Sequence, residues 1–242
     1  MSLLIALRGS DGIILSSDSR GTFGDPRGVT AQNDAQQKAH ILSPHVGVLV
    51  AGAGEIGSLA VGLAKEFIAT QGTDGVTPVM EALRNTTRGR YQEWFPSIPP
   101  VQPVAFIQTG QVAMRPDLTF IVGGYELDNT PKIYTLASLL DFPPALHEYG
   151  FAVLGVAQYA LYLLNRLYEA DRAIEELIPL AIYVITETAS QDGKVGGPVN
   201  AITVKPGDEG CQVVPRDKIL EIQKENEKRS KALRDSFYKG RK

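Results

Sequence analysis

Apolar and polar residues come in short runs whose period changes in a regular order along the chain. Leu3 to Leu7 and Ile13 to Ser17 are apolar runs separated by Ser10-Asp11-Gly12, which predicts a β-hairpin. Residues 19–37 are polar, with Gly21, Gly24, Pro26 and Gly28, and read as a loop. His40 to Leu42 and Val46 to Val50 predict a second hairpin that turns at Ser43-Pro44, and Ala51-Gly52-Ala53-Gly54 ends it. From Glu55 to about Ala69 the period lengthens. Ile56, Leu59, Ala60, Leu63, Ala64 and Phe67 fall three and four apart, the spacing of one helix face. Thr77-Pro78 opens another helix, which runs to about Phe95 with Met80, Leu83 and Tyr91 on one side.

Pro96 to Pro103 is too rich in proline for helix or central strand and reads as a connector. The pattern then repeats: strands at Leu118 to Gly123, Lys132 to Leu136 and Tyr149 to Leu154, helices at about Ala157 to Ala170 and Ala173 to Ala189, strands at Val199 to Val204 and Cys211 to Val214. The tail from Lys218 to Lys242 is a charged helix with few apolar positions: Ile219, Leu220, Ile222, Leu233 and Phe237. Strands, two helices, strands, two helices, strands is an α+β order. Two stacked antiparallel sheets with a helix pair outside each satisfy it, and periodicity alone also allows other α+β arrangements. The expected organisation is one domain over residues 1–215 and a charged helical extension over 216–242.

Composition narrows the function classes. The 242 residues are 43% hydrophobic and 21% charged, with a net charge of −3, enough chain for one well-buried core and no electrostatic footprint for nucleic acid. A single cysteine, Cys211, cannot form an internal disulfide, which fits a reducing compartment. No apolar run is long enough to span a bilayer and no signal segment opens the chain, so the expectation is a cytoplasmic protein that binds neither membrane nor nucleic acid. His40 and His45 stand too far from other ligands to suggest a metal, and no cofactor is expected. The AGAGEIG run follows a strand and opens a helix, but it lacks the lysine and hydroxyl of a phosphate loop.

Candidate chemistry gathers at the start of the chain. With Met1 removed, Ser2 would carry a hydroxyl nucleophile and an α-amine on one residue. An α-amine of pKa ~8 can act as a general base near neutral pH, and a serine hydroxyl needs such a base to become a nucleophile. A nearby cation would favour the reaction, and a carboxylate would hold that cation. Lys38 and Asp18 are the residue types for those two tasks.

Residues 2–60 resemble the β-type subunits of the proteasome and their simpler bacterial relatives, within the N-terminal-nucleophile hydrolases. The likeness rests on Ser2, the Asp11-Gly12 turn, Asp18 ending the second strand, Arg20-Gly21-Thr22 as the family's R-x-T, and Lys38 ahead of the next strand. It thins toward residue 205. The resemblance implies a four-layer αββα sandwich and a peptidase or amidase with Ser2 as nucleophile in place of the usual threonine. It casts Lys38 and Asp18 as its activators, and Gly52 as the backbone donor to the oxyanion. Gly21 and Thr22 would hold substrate as an added strand. Gln36, His40, Val50 and Gly54 would fall at the pocket that sets specificity. Asp192 matches a second supporting aspartate. Gly155 and Val195 fall where the family carries serine hydroxyls of the proton network.

Two other outcomes stay open. Homologues of this kind include sequence-specific peptide ligases and non-catalytic scaffold subunits. The resemblance also implies peptide or unfolded-protein substrates and an unfoldase or regulatory partner. A homo-oligomer is expected as well, because the second helix pair carries more apolar residues than one core-facing stripe needs: Tyr159, Leu161, Tyr162, Leu167, Leu177, Leu180 and others.

Overall fold

The computed structural model describes residues 2–24, 30–96, 98 and 115–238. Five strands form the first sheet in the order β10-β1-β2-β11-β12, from β1 (Leu3–Arg8), β2 (Ile13–Ser17), β10 (Phe151–Gly155), β11 (Asn200–Val204) and β12 (Cys211–Val213). The second sheet runs β5-β6-β7-β8-β9, from β5 (Ala39–Ser43), β6 (Val46–Gly52), β7 (Leu118–Tyr125), β8 (Pro131–Ala137) and β9 (Ala145–Leu146). All neighbours are antiparallel. Helices α1 (Gly54–Gln71) and α2 (Val76–Trp94) cover the second sheet. Helices α3 (Ala157–Leu167) and α4 (Ile174–Gln191) cover the first, and α5 (Arg216–Tyr238) lies along α4.

Strand alternation sorts the apolar side chains into three layers. Leu4, Ala6, Ile13 and Leu15 face inward between the sheets and meet Leu49, Ile121 and Ile133. Their neighbours Leu3, Ile5, Leu7 and Ile14 point the other way, onto Leu164, Leu177, Ile178 and Ile182 of α3 and α4. Val48, Val50, Phe120 and Val122 form the third layer with Val61, Val79, Leu83 and Tyr91 of α1 and α2. The arrangement is the αββα sandwich. Its sheets meet closely at one point. Gly47 and Gly123 are cross-strand partners on β6 and β7, and a Cβ on either would come within 2.5 and 2.9 Å of the Leu15 methyl groups. The two glycines leave a notch that Leu15 fills, with Ile13 next to it at Gly123.

Several expectations change in detail. The 19–37 loop contains a two-stranded ribbon, β3 (Gly21–Gly24) with β4 (Thr30–Asn33). The buried face of α1 is Gly57, Ala60, Val61, Ala64 and Ile68, while Leu59 and Phe67 are exposed. The connector expected at Pro96 to Pro103 falls almost wholly outside the described residues. The apolar breadth of α4 has an internal explanation: the first sheet covers one side and α5 another, where Ile219 is buried and Asn226 Nδ2 donates to the Pro179 carbonyl at 3.1 Å. Exposed apolar residues remain on α3, at Tyr159, Leu161, Tyr162 and Leu167. Among the described residues no helix is long and apolar enough to cross a membrane, and no cluster of His, Cys, Asp and Glu could hold a metal ion.

One end of the sandwich is tied by a histidine. His45 Nδ1 lies 2.6 Å from Asp74 Oδ2, in the loop between α1 and α2, and Nε2 lies 2.9 Å from the Gly207 carbonyl, between β11 and β12. Both partners accept, so the protonated imidazolium is the form that satisfies both contacts at once. Its hydrogen bond to Asp74, then the Gly207 carbonyl, raise the His45 pKa above the ordinary value. Burial pushes the Asp74 carboxyl upward, but hydrogen bonds from Ser43 and His45 outweigh it and hold the pKa below the usual range. A raised histidine pKa gives stability that is complete below the unfolded pKa of ~6.5 and is lost as pH rises through the folded value. The stability difference between wild type and His45→Gln, measured by urea denaturation, should therefore be largest near about pH 5 and shrink on the alkaline side.

Candidate active site

Ser2 sits where three strand ends meet. It precedes β1, the strand between β10 and β2, and the register Leu3↔Gly155 and Leu4↔Ser17 brings all three ends together. The residue is 7% exposed, and its carbonyl accepts a hydrogen bond from Val156 N–H at 2.9 Å. The expected removal of Met1 concerns a residue outside those described.

Asp18 leaves the end of β2 fully buried, and its carboxylate is surrounded by donors. Oδ1 accepts from Leu3 N–H at 3.0 Å and from Lys38 Nζ at 2.7 Å. Oδ2 accepts from Arg20 N–H at 3.2 Å and Gly196 N–H at 3.1 Å. Lys38 comes from the other sheet, one residue ahead of β5, and is 1% exposed. Its ammonium also donates to the Arg20 carbonyl at 2.7 Å, and its third N–H finds no hydrogen-bond partner among the described residues. Burial pulls the Lys38 pKa downward, and the charge and hydrogen bond of Asp18 oppose that pull without cancelling it.

Other predicted positions separate into groups. Gln36, Gly21 and Gly54 come together: a Cβ at Gly21 would lie 3.0 Å from Gln36 Oε1, and one at Gly54 would overlap Gln36 Nε2. The Gln36 amide therefore spans from the ribbon to the start of α1. Val50 is buried beneath α1, against Gly57. His40 is partly buried, and burial lowers its pKa. Gly52 ends β6 at φ 111°, a left-handed conformation that explains the glycine. Asp192 is not in the cluster. It ends α4, and its Oδ1 accepts from Lys194 N–H at 2.9 Å in a local turn. The turn after it meets Asp18 through the backbone N–H of Gly196. Ser17 Oγ, Thr22 Oγ1 and His40 Nε2 are buried without a partner among the described residues, the condition of groups that bind water or ligand.

Sequence reasoning missed the side chain of Arg20. The R-x-T motif drew attention to its neighbours, yet the guanidinium makes a two-point contact with Asp34 and reaches the 193–195 carbonyls. Gly155 gains a physical reason. It adopts φ 92°, and a Cβ there would collide with the Ser2 carbonyl oxygen.

No protein-family model matches the chain, and no curated protein matches it. Solved structures do. The helical assembly of the Anbu complex from Pseudomonas aeruginosa superposes with a TM-score of 0.74 at 19% identity, covering 98% of this chain and 96% of that one. The fold is that of Anbu. Anbu from Hyphomicrobium sp. strain MC1 gives a TM-score of 0.68 at 20% identity, covering 99% and 98%. Anbu from Yersinia bercovieri, described as an ancestral beta-subunit, gives 0.69 at 15% identity, covering 98% and 97%. Anbu has the proteasome-like fold of the N-terminal-nucleophile hydrolases, and these identities show the fold alone.

Placing a serine at position 155 should be costly, because a left-handed non-glycine backbone alone costs about 1–3 kcal/mol and the collision with Ser2 adds to it. Gly155→Ser is expected to lower the urea midpoint with an unchanged m-value, and a neutral substitution would contradict the geometry.

Proposed function

We propose that this chain is a proteasome-like peptidase or amidase whose nucleophile is Ser2 after loss of Met1. The observation that carries the reading is the buried Lys38–Asp18 pair at the junction of the two sheets, with Asp18 accepting from the N–H of Leu3, the residue after Ser2. A buried ion pair is weak evidence for stability, since apolar residues of similar volume often do as well. Here the lysine also retains an N–H without a partner among the described residues, which the reading assigns to the Ser2 hydroxyl.

In this reading the Ser2 amine takes the proton of its own hydroxyl as Oγ attacks a peptide carbonyl carbon. The charge of Lys38 depresses the amine pKa, so that the amine is neutral and basic near pH 7. The tetrahedral oxyanion accepts from the Gly52 N–H. The C–N bond then breaks, the amine returns the proton to the leaving nitrogen, and an acyl ester on Ser2 remains. Water resolves it to acid and free serine, and a peptide amine in place of water would give ligation. Product analysis separates the two.

A second reading is a non-catalytic subunit of the same fold. It is favoured by Gly155 and Val195, which leave no hydroxyl at two positions where the resemblance expects serine. In either case the chain is expected to form a homo-oligomer, supported by the helical assembly of the Pseudomonas aeruginosa Anbu complex and by the exposed apolar residues of α3.

Incubation with a peptide β-lactone followed by intact-mass spectrometry tests the proposal. One covalent adduct is expected on a chain that begins at Ser2, and none on Ser2→Ala. Lys38→Ala should slow acylation by about 10²-fold or more. It should also destabilise the fold by about 3–5 kcal/mol, because Asp18 stays buried without its counter-charge. Labelling that survives in Ser2→Ala overturns Ser2 as the nucleophile, and a wild type that never labels favours the non-catalytic subunit.

A further inference from the structure

The 193–197 turn serves the candidate site through its backbone. Gly196 N–H donates to Asp18 Oδ2 at 3.1 Å, and the Gly196 carbonyl accepts from Ser19 N–H at 3.1 Å. Val195 anchors the middle of the turn in the core beside α4, while the glycines at 193, 196 and 197 bring no side chain of their own to the site-facing backbone. Arg20 supplies one. Its guanidinium meets Asp34 at two points, Nε to Oδ1 at 2.7 Å and Nη2 to Oδ2 at 2.8 Å. That fork fixes the plane of the group. The remaining nitrogen, Nη1, donates to the Gly193 carbonyl at 2.9 Å and the Val195 carbonyl at 3.5 Å. Gln32 Nε2 adds a hydrogen bond to the Gly193 carbonyl at 3.3 Å.

Gly196 and Gly197 fit closely beneath this pair, whereas Gly193 faces open space. A Cβ at Gly196 would lie 2.5 Å from Arg20 Cζ, and one at Gly197 would lie 2.9 Å from Asp34 Cβ. At its other end the same arginine grips the catalytic candidates with its main chain. Its N–H donates to Asp18 Oδ2 at 3.2 Å, and its carbonyl accepts from Lys38 Nζ at 2.7 Å. One residue therefore touches Asp18, Lys38 and the turn that holds Asp18.

We propose that the Arg20–Asp34 pair is a clamp that positions Asp18, and through it Lys38, by pinning the 193–197 turn. The proposal rests on the catalytic reading of Ser2, Lys38 and Asp18 above. Arg20 is a positioning residue: its guanidinium is spent on Asp34 and on backbone carbonyls. The side chains of the pair are 21% and 43% exposed, so the pair itself contributes little to folding and its value is geometric. A lysine cannot replace it, because a point charge does not bridge a carboxylate and two carbonyls in one plane.

The test uses the full chain as wild type, Arg20→Gln, Arg20→Lys and Asp34→Asn. Acylation by a peptide β-lactone gives kinact and KI separately, and hydrogen exchange reports the Gly196 amide in the same proteins. All three variants are expected to keep the wild-type circular dichroism. Each should lose about tenfold or more in kinact, the scale of a small misplacement of reacting groups, with KI changed less than twofold. Gly196 should exchange about tenfold faster, and lysine should not restore either value. Unchanged Gly196 protection in Arg20→Gln and Asp34→Asn overturns the clamp. Faster exchange with kinact intact overturns its role in positioning, and a change confined to KI makes Arg20 a substrate contact instead. A wild type that does not react at all, while Gly196 exchange responds as expected, defeats the catalytic reading and the positioning role with it, and leaves only a structural tie.

Discussion

A lysine ammonium and an aspartate carboxylate, 2.7 Å apart and sealed from water, join the two sheets of this protein at one end. Neither charge could be buried alone. A lone carboxylate or ammonium in such surroundings would surrender its charge or pull water in. The local structure answers that cost. Asp18 gathers backbone N–H groups from Leu3, Arg20 and Gly196, and Lys38 takes the Arg20 carbonyl. Those four contacts recruit the start of β1, the exit of β2 and the turn after α4, so separate parts of the chain converge on one ion pair.

The same demand explains which parts of the site were legible in the sequence. β1 and β2 are written as apolar runs around an Asp-Gly turn, and a carboxylate at the end of such a run is conspicuous. Lys38 could be placed because a recognisable hairpin follows it. The β3–β4 ribbon was not legible, since Gly21-Thr22-Phe23-Gly24 and Thr30 to Asn33 have no alternation of their own and pair only with each other. Arg20 and Asp34 were hidden for a similar reason. They lie on either side of that ribbon, and no periodicity announces that two charged residues in a polar stretch will meet.

Helix faces failed in a different way. The α1 sequence offers two apolar stripes one residue apart, and period alone does not choose between Leu59 with Phe67 and Ala60 with Ile68. Packing chooses, because Gly57 sits against Val50 and Leu118 with no room for a side chain, and that contact turns Ala60 and Ile68 inward. In α4 the breadth of the apolar surface was read as a subunit interface, and the structure covers part of it within the chain. Part of that cover is α5, whose own sequence is too charged to advertise it.

The notch that receives Leu15 has a mechanical consequence for the ion pair. Asp18 belongs to one sheet and Lys38 to the other, so any sliding of the sheets acts on the distance between them. A slip of one residue is about 3.3 Å, more than the whole length of the hydrogen bond. Leu15 stands three residues before Asp18, and its socket at Gly47 and Gly123 works as a key in a keyway that fixes the travel of one sheet over the other. Filling the socket with a methyl group would push at the middle of the sandwich, yet its effect would register at the end where the charges meet. The tolerance of the site is thus set by a leucine and two glycines that carry no charge and touch none of its polar groups.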